Sequence, residues 1–144
     1  MKSLLFESDA QRFMRSYEHA QGYHFRARCL AEQGRSASLI FNVAAVAVEC
    51  YLIALCGLHG ILPFNHNYRS LVMSAEEKVV LGEELKRRIL ALDDLFGLCS
   101  IDDYYHGVPG DDDARRIVAV CAALDGVIRE EQRKLVNPPG GQHA

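Results

Sequence analysis

The chain is 144 residues long, which suits one domain able to bury roughly two thirds of its unfolded surface. Hydrophobic residues make up 49% of it and charged residues 24%, the balance of an ordinary soluble globular protein. A net charge of -3 excludes a global attraction to nucleic acid or anionic lipid and gives no footing for DNA sequence recognition, leaving room only for a local basic patch.

From the start, MKSLLFESDAQRF turns acidic and polar before an apolar leader forms, so no secretory signal is expected. Ser8 and Gln11 have capping-box spacing and open a first helix. Phe13, Tyr17, Ala20, His24, Ala27 and Ala31 recur at helical spacing as its inner face, and Gly34 ends it. Ser36 caps the next helix. A connection of about three residues forces the two helices antiparallel, as an αα-hairpin.

Residues 39–58 (LIFNVAAVAVECYLIALCGL) are almost wholly apolar, interrupted by Asn42 and Glu49. A helix apolar around most of its circumference is buried in a bundle or spans a membrane. Two polar side chains, one an acid in mid-segment, are costly in lipid, and no Lys/Arg cluster flanks the run to orient it. The segment is expected to be the core helix, with no membrane involved.

Gly57, Gly60 and Pro63 break the pattern into a loop, and a short turn of helix is expected at 68–73. Ser74-Ala-Glu-Glu77 reads as a capping box opening a third helix to about Leu92, with Asp93 and Asp94 starting a short extra helix or continuing with a bend. Gly107-Val-Pro-Gly110 is a break. Asp111, Asp112 and Asp113 supply a cap and negative charge to a fourth helix ending near Val136. The expected fold is an all-α, four-helix up-down bundle with short extra helices in its middle connections. It forms one domain over 1–136, and a disordered tail follows over 137–144. Cys29, Cys50, Cys56, Cys99 and Cys121 stand singly, without the close pairs of zinc sites, and suit small buried hydrophobes in a reducing cytoplasm.

Three stretches in order carry a family resemblance. The alanine-rich run 44–55 with Glu49 in its middle, His66-Asn-Tyr-Arg-Ser-Leu71 after the loop, and Ile101-Asp-Asp-Tyr-Tyr-His106 before the Pro/Gly break resemble the HEPN superfamily of small prokaryotic helical bundles. The resemblance implies a cytoplasmic, often dimeric helical bundle. Such members are metal-independent endoribonucleases, partners of minimal nucleotidyltransferases, or accessory binding modules. Its nuclease members carry an Arg-x4–6-His pair near the last helix. This chain departs there: no Arg precedes Tyr104 to His106 at that spacing, and Arg115 and Arg116 have no His four to six residues on.

Two polar stripes remain. The first helix carries Arg12, His19, Arg26 and Gln33 at spacings of seven, and the second carries Arg35, Asn42, Glu49 and Cys56 likewise. Such stripes drift only about 20° per step. Folding the hairpin at Gly34 sets His19 level with Glu49, Arg26 with Asn42 and Arg12 with Cys56. The stripes read as solvated edges, as a structural pair of Glu49 with His19 or an arginine, or as a working site. In that last reading His19 is general acid/base, Arg12 steadies a phosphate and Glu49 orients the imidazole. Glu49, ringed by Ala45, Val46, Leu52 and Ile53, is expected to be more than half buried.

Tyr104, Tyr105 and His106, with His66, are candidates for stacking on or binding a nucleotide; the bland alternative closes a bundle end. No spacing demands a metal, and no glycine-rich phosphate loop or nucleophile elbow occurs. The expectation is a cofactor-free homodimer that binds a protein partner of nucleotidyltransferase type, a nucleotide or RNA, with a toxin-type endoribonuclease as its rival.

Overall fold

The computed structural model describes residues 7–98 and 108–136, with the side chains of 94–98 left out of account. The described residues form five helices and no strand: α1 Asp9–Glu32, α2 Ala37–Leu58, α3 Tyr68–Ala75, α4 Glu83–Leu98 and α5 Asp111–Val136. The expected tail over 137–144, and Tyr104, Tyr105 and His106, lie outside them.

The predicted caps of the first hairpin are present. Ser8 accepts from the Gln11 backbone N–H while the Gln11 side chain accepts from the Ser8 N–H, and Ser36 accepts from the Leu39 N–H. α1 and α2 run antiparallel, so that Phe13 at the start of α1 lies against Gly57 at the end of α2. α5 runs parallel to α2: its Cys121 thiol sits 3.5 Å from the Ala44 carbonyl, and its Glu131 meets His59 just past the end of α2.

α2 is the hub. It packs against α1, α3 and α5, while α4 touches α3 and α5 among the described residues. Twelve of its residues are buried, and its run of Ala44, Ala47 and Ala54 lets neighbouring helices approach closely. By length and composition it is also the one described helix able to cross a membrane, but 61% of that window is already buried by the protein's own helices. The core-helix expectation fits this better.

The inner face of α1 is as expected at Phe13, Ala20, His24 and Ala27, with Tyr17 half-buried. Ala31 is exposed instead, and Arg12 and Ser16 are buried in its place. The buried arc of α1 is thus turned toward Arg12.

The middle of the chain differs more. Ser74 and Glu77 do not open a helix; Ser74 and Ala75 are the last turn of α3. That helix is capped earlier by Asn67, which accepts from the Ser70 N–H at 2.8 Å, and it buries Tyr68, Leu71, Val72 and Ala75 at three- and four-residue spacing. The chain then turns through 76–82. Gly82, at φ +89°, adopts a left-handed conformation that suits glycine, and α4 starts directly after it. α4 continues through Asp93 and Asp94 without a separate helix.

Candidate functional site

Two of the residues singled out from the sequence meet. His66 Nδ1, in the loop after α2, lies 3.5 Å from the Glu49 carboxylate. They line a shallow pocket of about 350 Å³ with Asn42, Val46, Asn67 and Asp93. Its floor is fixed by Tyr68, whose hydroxyl donates to the Ala45 carbonyl at 2.7 Å, and burial pushes that phenol well above its ordinary range. The pocket therefore offers two carboxylates, an imidazole and two amides on a rigid wall, a set suited to hydrogen-bonding a polar group. The Glu49 side chain is 40% exposed, which agrees with the expectation of more than half burial.

Of the three readings of the stripes, the pairing of Glu49 with His19 or an arginine does not hold in this geometry. Arg12 does lie beside Cys56, so the hairpin levels are right, but the faces are not. His19 is exposed, with no hydrogen bond or ion pair among the described residues; Arg26 is exposed and lies over the Tyr23 ring. α1 points Ala20 inward, and a residue one step along a helix turns by about 100°, so His19 leaves the face that α2 covers.

Arg12 is buried. Its guanidinium donates to Asp9 at 2.9 Å and to the Ile61 carbonyl at 3.0 Å, pinning the loop after α2 to the start of α1. Next to this pin, His59 Nε2 lies 3.1 Å from Glu131, with both side chains nearly buried; the two are close without hydrogen-bond geometry. Arg12, His19 and Glu49 thus do not assemble into one site.

A buried polar chain that the sequence reading missed runs between α1, α2 and α5. His24 Nδ1 is 2.7 Å from the hydroxyl of Tyr51, which is fully buried. The Tyr51 and Tyr17 rings lie 6.2 Å apart, and the Tyr17 hydroxyl donates to Asp125 at 2.5 Å. Burial and the neighbouring Asp125 push the Tyr17 phenol up to about 12. Burial, with Arg28 adding to it and Asp125 opposing, holds the His24 imidazole below its ordinary value. The available signal was a histidine at buried spacing on one helix with a tyrosine on the facing one.

Burial raises the Cys56 thiol to about 11 and the Cys121 thiol to about 12, so neither is a thiolate nucleophile at neutral pH. No cluster of three or more metal-ligating side chains occurs among the described residues. Compared with family models, curated proteins and solved structures, the chain matches none of them.

Proposed function

We propose that this chain is a non-catalytic, HEPN-like binding module that works as a homodimer in the cytoplasm. The observation that carries the reading is the uncovered strip of α2. Leu39 and Val46 are exposed and Val43, Cys50 and Ile53 half-buried, all on one arc of a helix that is otherwise buried. A contiguous apolar strip rimmed by polar residues marks an interaction surface.

Its rims favour a second copy as the occupant. Arg15, held by Glu7, lies near Cys50 at one edge, and His19 and Arg26 continue that edge of α1 at helical spacing. Glu49 marks the other edge. Two-fold packing sets the basic edge of each copy against the acid edge of its partner. Val46 belongs to both the strip and the Glu49–His66 pocket, so a second copy also roofs that pocket. The HEPN likeness rests on the order of the three quoted stretches, and the four long helices with short α3 between them suit an up-down four-helix bundle. The nucleotidyltransferase or nucleotide partner rests on that likeness alone.

The endoribonuclease rival needs Arg12, His19 and Glu49 in concert. The Arg12 guanidinium is engaged by Asp9 and Ile61, and His19 stands apart from Glu49. Light scattering at micromolar concentration should give a dimer with an interface above about 1,000 Å². Val46→Glu should give a folded monomer. A monomeric wild-type chain would refute the dimer, and RNA cleavage lost in His19→Ala would promote the nuclease.

A further inference from the structure

A cavity of about 880 Å³ lies on the side of α1 away from the α2 strip, where α1 ends and α2 and α5 begin. Its apolar surface comes from Ile40, Ala114, Val118 and Ala122. These are small or branched side chains that leave a smooth floor. Arg28 and Arg35 stand at its edges. Neither guanidinium has a hydrogen bond or an ion pair within 4 Å among the described residues; that of Arg28 rests on the Phe25 ring. Arg115, also at the rim, is already held by Asp112.

His24 makes this more than a dent between arginines. It is over nine-tenths buried and lines the cavity. The Tyr51 hydroxyl, buried with His24 as its hydrogen-bond partner, must donate its proton, and Nδ1 is the acceptor in reach. With Nδ1 accepting, Nε2 carries the hydrogen, and it has no protein acceptor among the described residues. The cavity therefore presents N–H donors from three side chains around an apolar floor. The positive potential at the start of α2 is offset by the carboxyl end of α1, and that of α5 by Asp111, Asp112 and Asp113, so the pull on an anion comes from the three side chains.

We propose that this cavity binds a small organic anion, its oxyanion head group held by Arg28, Arg35 and the His24 Nε2–H, and its apolar body laid on Ile40, Ala114 and Val118. Two planar guanidinium groups suit the bidentate acceptance of a carboxylate or phosphate. Glu32 and Asp111 at the rim repel an extended polyanion, and the net charge of -3 supplies no steering for one, so the geometry favours a small ligand over a nucleic-acid backbone.

Calorimetric titration of the full chain with phenyl phosphate, benzoate, phenol and inorganic phosphate tests this. Phenyl phosphate or benzoate should bind saturably and move the His24 imidazole resonances, and the stronger of the two identifies the head group. Phenol, lacking the charge, and inorganic phosphate, lacking the body, should each bind at least about tenfold more weakly. Arg28→Gln and Arg35→Gln, both at exposed positions, should each weaken binding by about tenfold while leaving the unfolding midpoint unchanged. The site is refuted by unchanged affinity in the double variant, by an unmoved His24 resonance, or by no saturation below about 10 mM of either ligand. Val46→Glu should bind as wild type does, so failure of the dimer and failure of this site are told apart.

Discussion

The two ends of the α1–α2 hairpin carry the same residue types and use them in opposite ways. At the closed end, where α1 begins and α2 finishes, Arg12 is 9% exposed and its donors reach Asp9 and the Ile61 carbonyl. There His59 and Glu131 are buried side by side, and the backbone of α1 comes so near Gly57 that a Cβ there would lie 3.2 Å from the Phe13 nitrogen. At the open end Arg28 and Arg35 have no acceptor among the described residues and His24 faces a cavity. An arginine buried and held at two acceptors inside the chain holds the fold, even with its Nε unpartnered, whereas an exposed one left without side-chain acceptors is available to something else. The difference is one of burial and partners, which composition does not reveal.

The sharpest way to break this comparison is to remove an arginine from each end. Arg12→Ala should cost about 3 kcal/mol in urea unfolding, because it deletes a buried, packed side chain and frees the loop at Ile61. Arg12→Met, keeping the volume, should recover part of that loss. Arg35→Ala at the open end should stay within about 0.5 kcal/mol, as surface changes do. Equal losses at both ends would show that the ends do not differ in kind.

Close packing at the closed end gives the next largest effect. Gly57→Ala places a methyl group against the Phe13 nitrogen and Cα and the Asp9 carbonyl, all backbone, so α1 must shift. The expected cost is about 1–3 kcal/mol. Gly126→Ala in α5, where an added Cβ meets nothing within 4 Å, should instead stabilise by up to about 1 kcal/mol through helix propensity. Thermal unfolding of both variants reads this out, and a stabilised Gly57→Ala would contradict the close approach.

The open end should carry a pH signature of smaller size. The His24 imidazole is held below its ordinary value of 6.5 in the folded chain, chiefly by burial. Its proton therefore binds first in the unfolded state. Stability from this group is fully present above about pH 6.5 and falls as the pH is lowered through that value toward the depressed folded pKa. His24→Gln should flatten the loss of stability between pH 7 and 5 relative to wild type. A direct NMR titration placing His24 at or above 6.5 would overturn the assignment even if that variant fails to fold.

What the sequence made legible follows the same division. Helix ends with local signals were readable: Ser8 with Gln11, Ser36, the aspartates at 111–113, and Gly34, which adopts φ +70° just past α1. The register of the hairpin was readable too, since Arg12 bonds the Ile61 carbonyl and the Ile61 N–H bonds the Cys56 carbonyl, which sets Arg12 level with Cys56. What failed were choices between equal local patterns. Ser74-x-x-Glu77 has the spacing of a helix start, but Asn67 had already capped a helix whose buried face ends at Ala75, and packing decided the matter. His66 approaches Glu49 through an irregular loop, whose path no periodicity describes. His19 sits beside Ala20 in the sequence, yet one step of helix turns it out to solvent. The His24 cavity needed three helices in place before it existed.

Glu49 gives the smallest expected effect and separates two readings of its role. Its side chain is 40% exposed and that of its contact, His66, is 58% exposed, so both groups keep much of their water. An ion pair so solvated is worth at most about 1 kcal/mol, and Glu49→Ala should cost no more than that in urea unfolding. A loss approaching 3 kcal/mol would mean a desolvated partner stranded by the substitution, which this geometry does not provide. The partner is identified by double-mutant cycles. Glu49→Ala with His66→Ala should show a small coupling that fades with added salt, while Glu49→Ala with His19→Ala should be additive within about 0.3–0.5 kcal/mol. Coupling to His19 and not to His66 would restore the register argument from the sequence and remove the pocket as the place where Glu49 acts. If the dimer forms across α2, the Glu49–His66 coupling should rise with protein concentration, because a second copy excludes water from the pair.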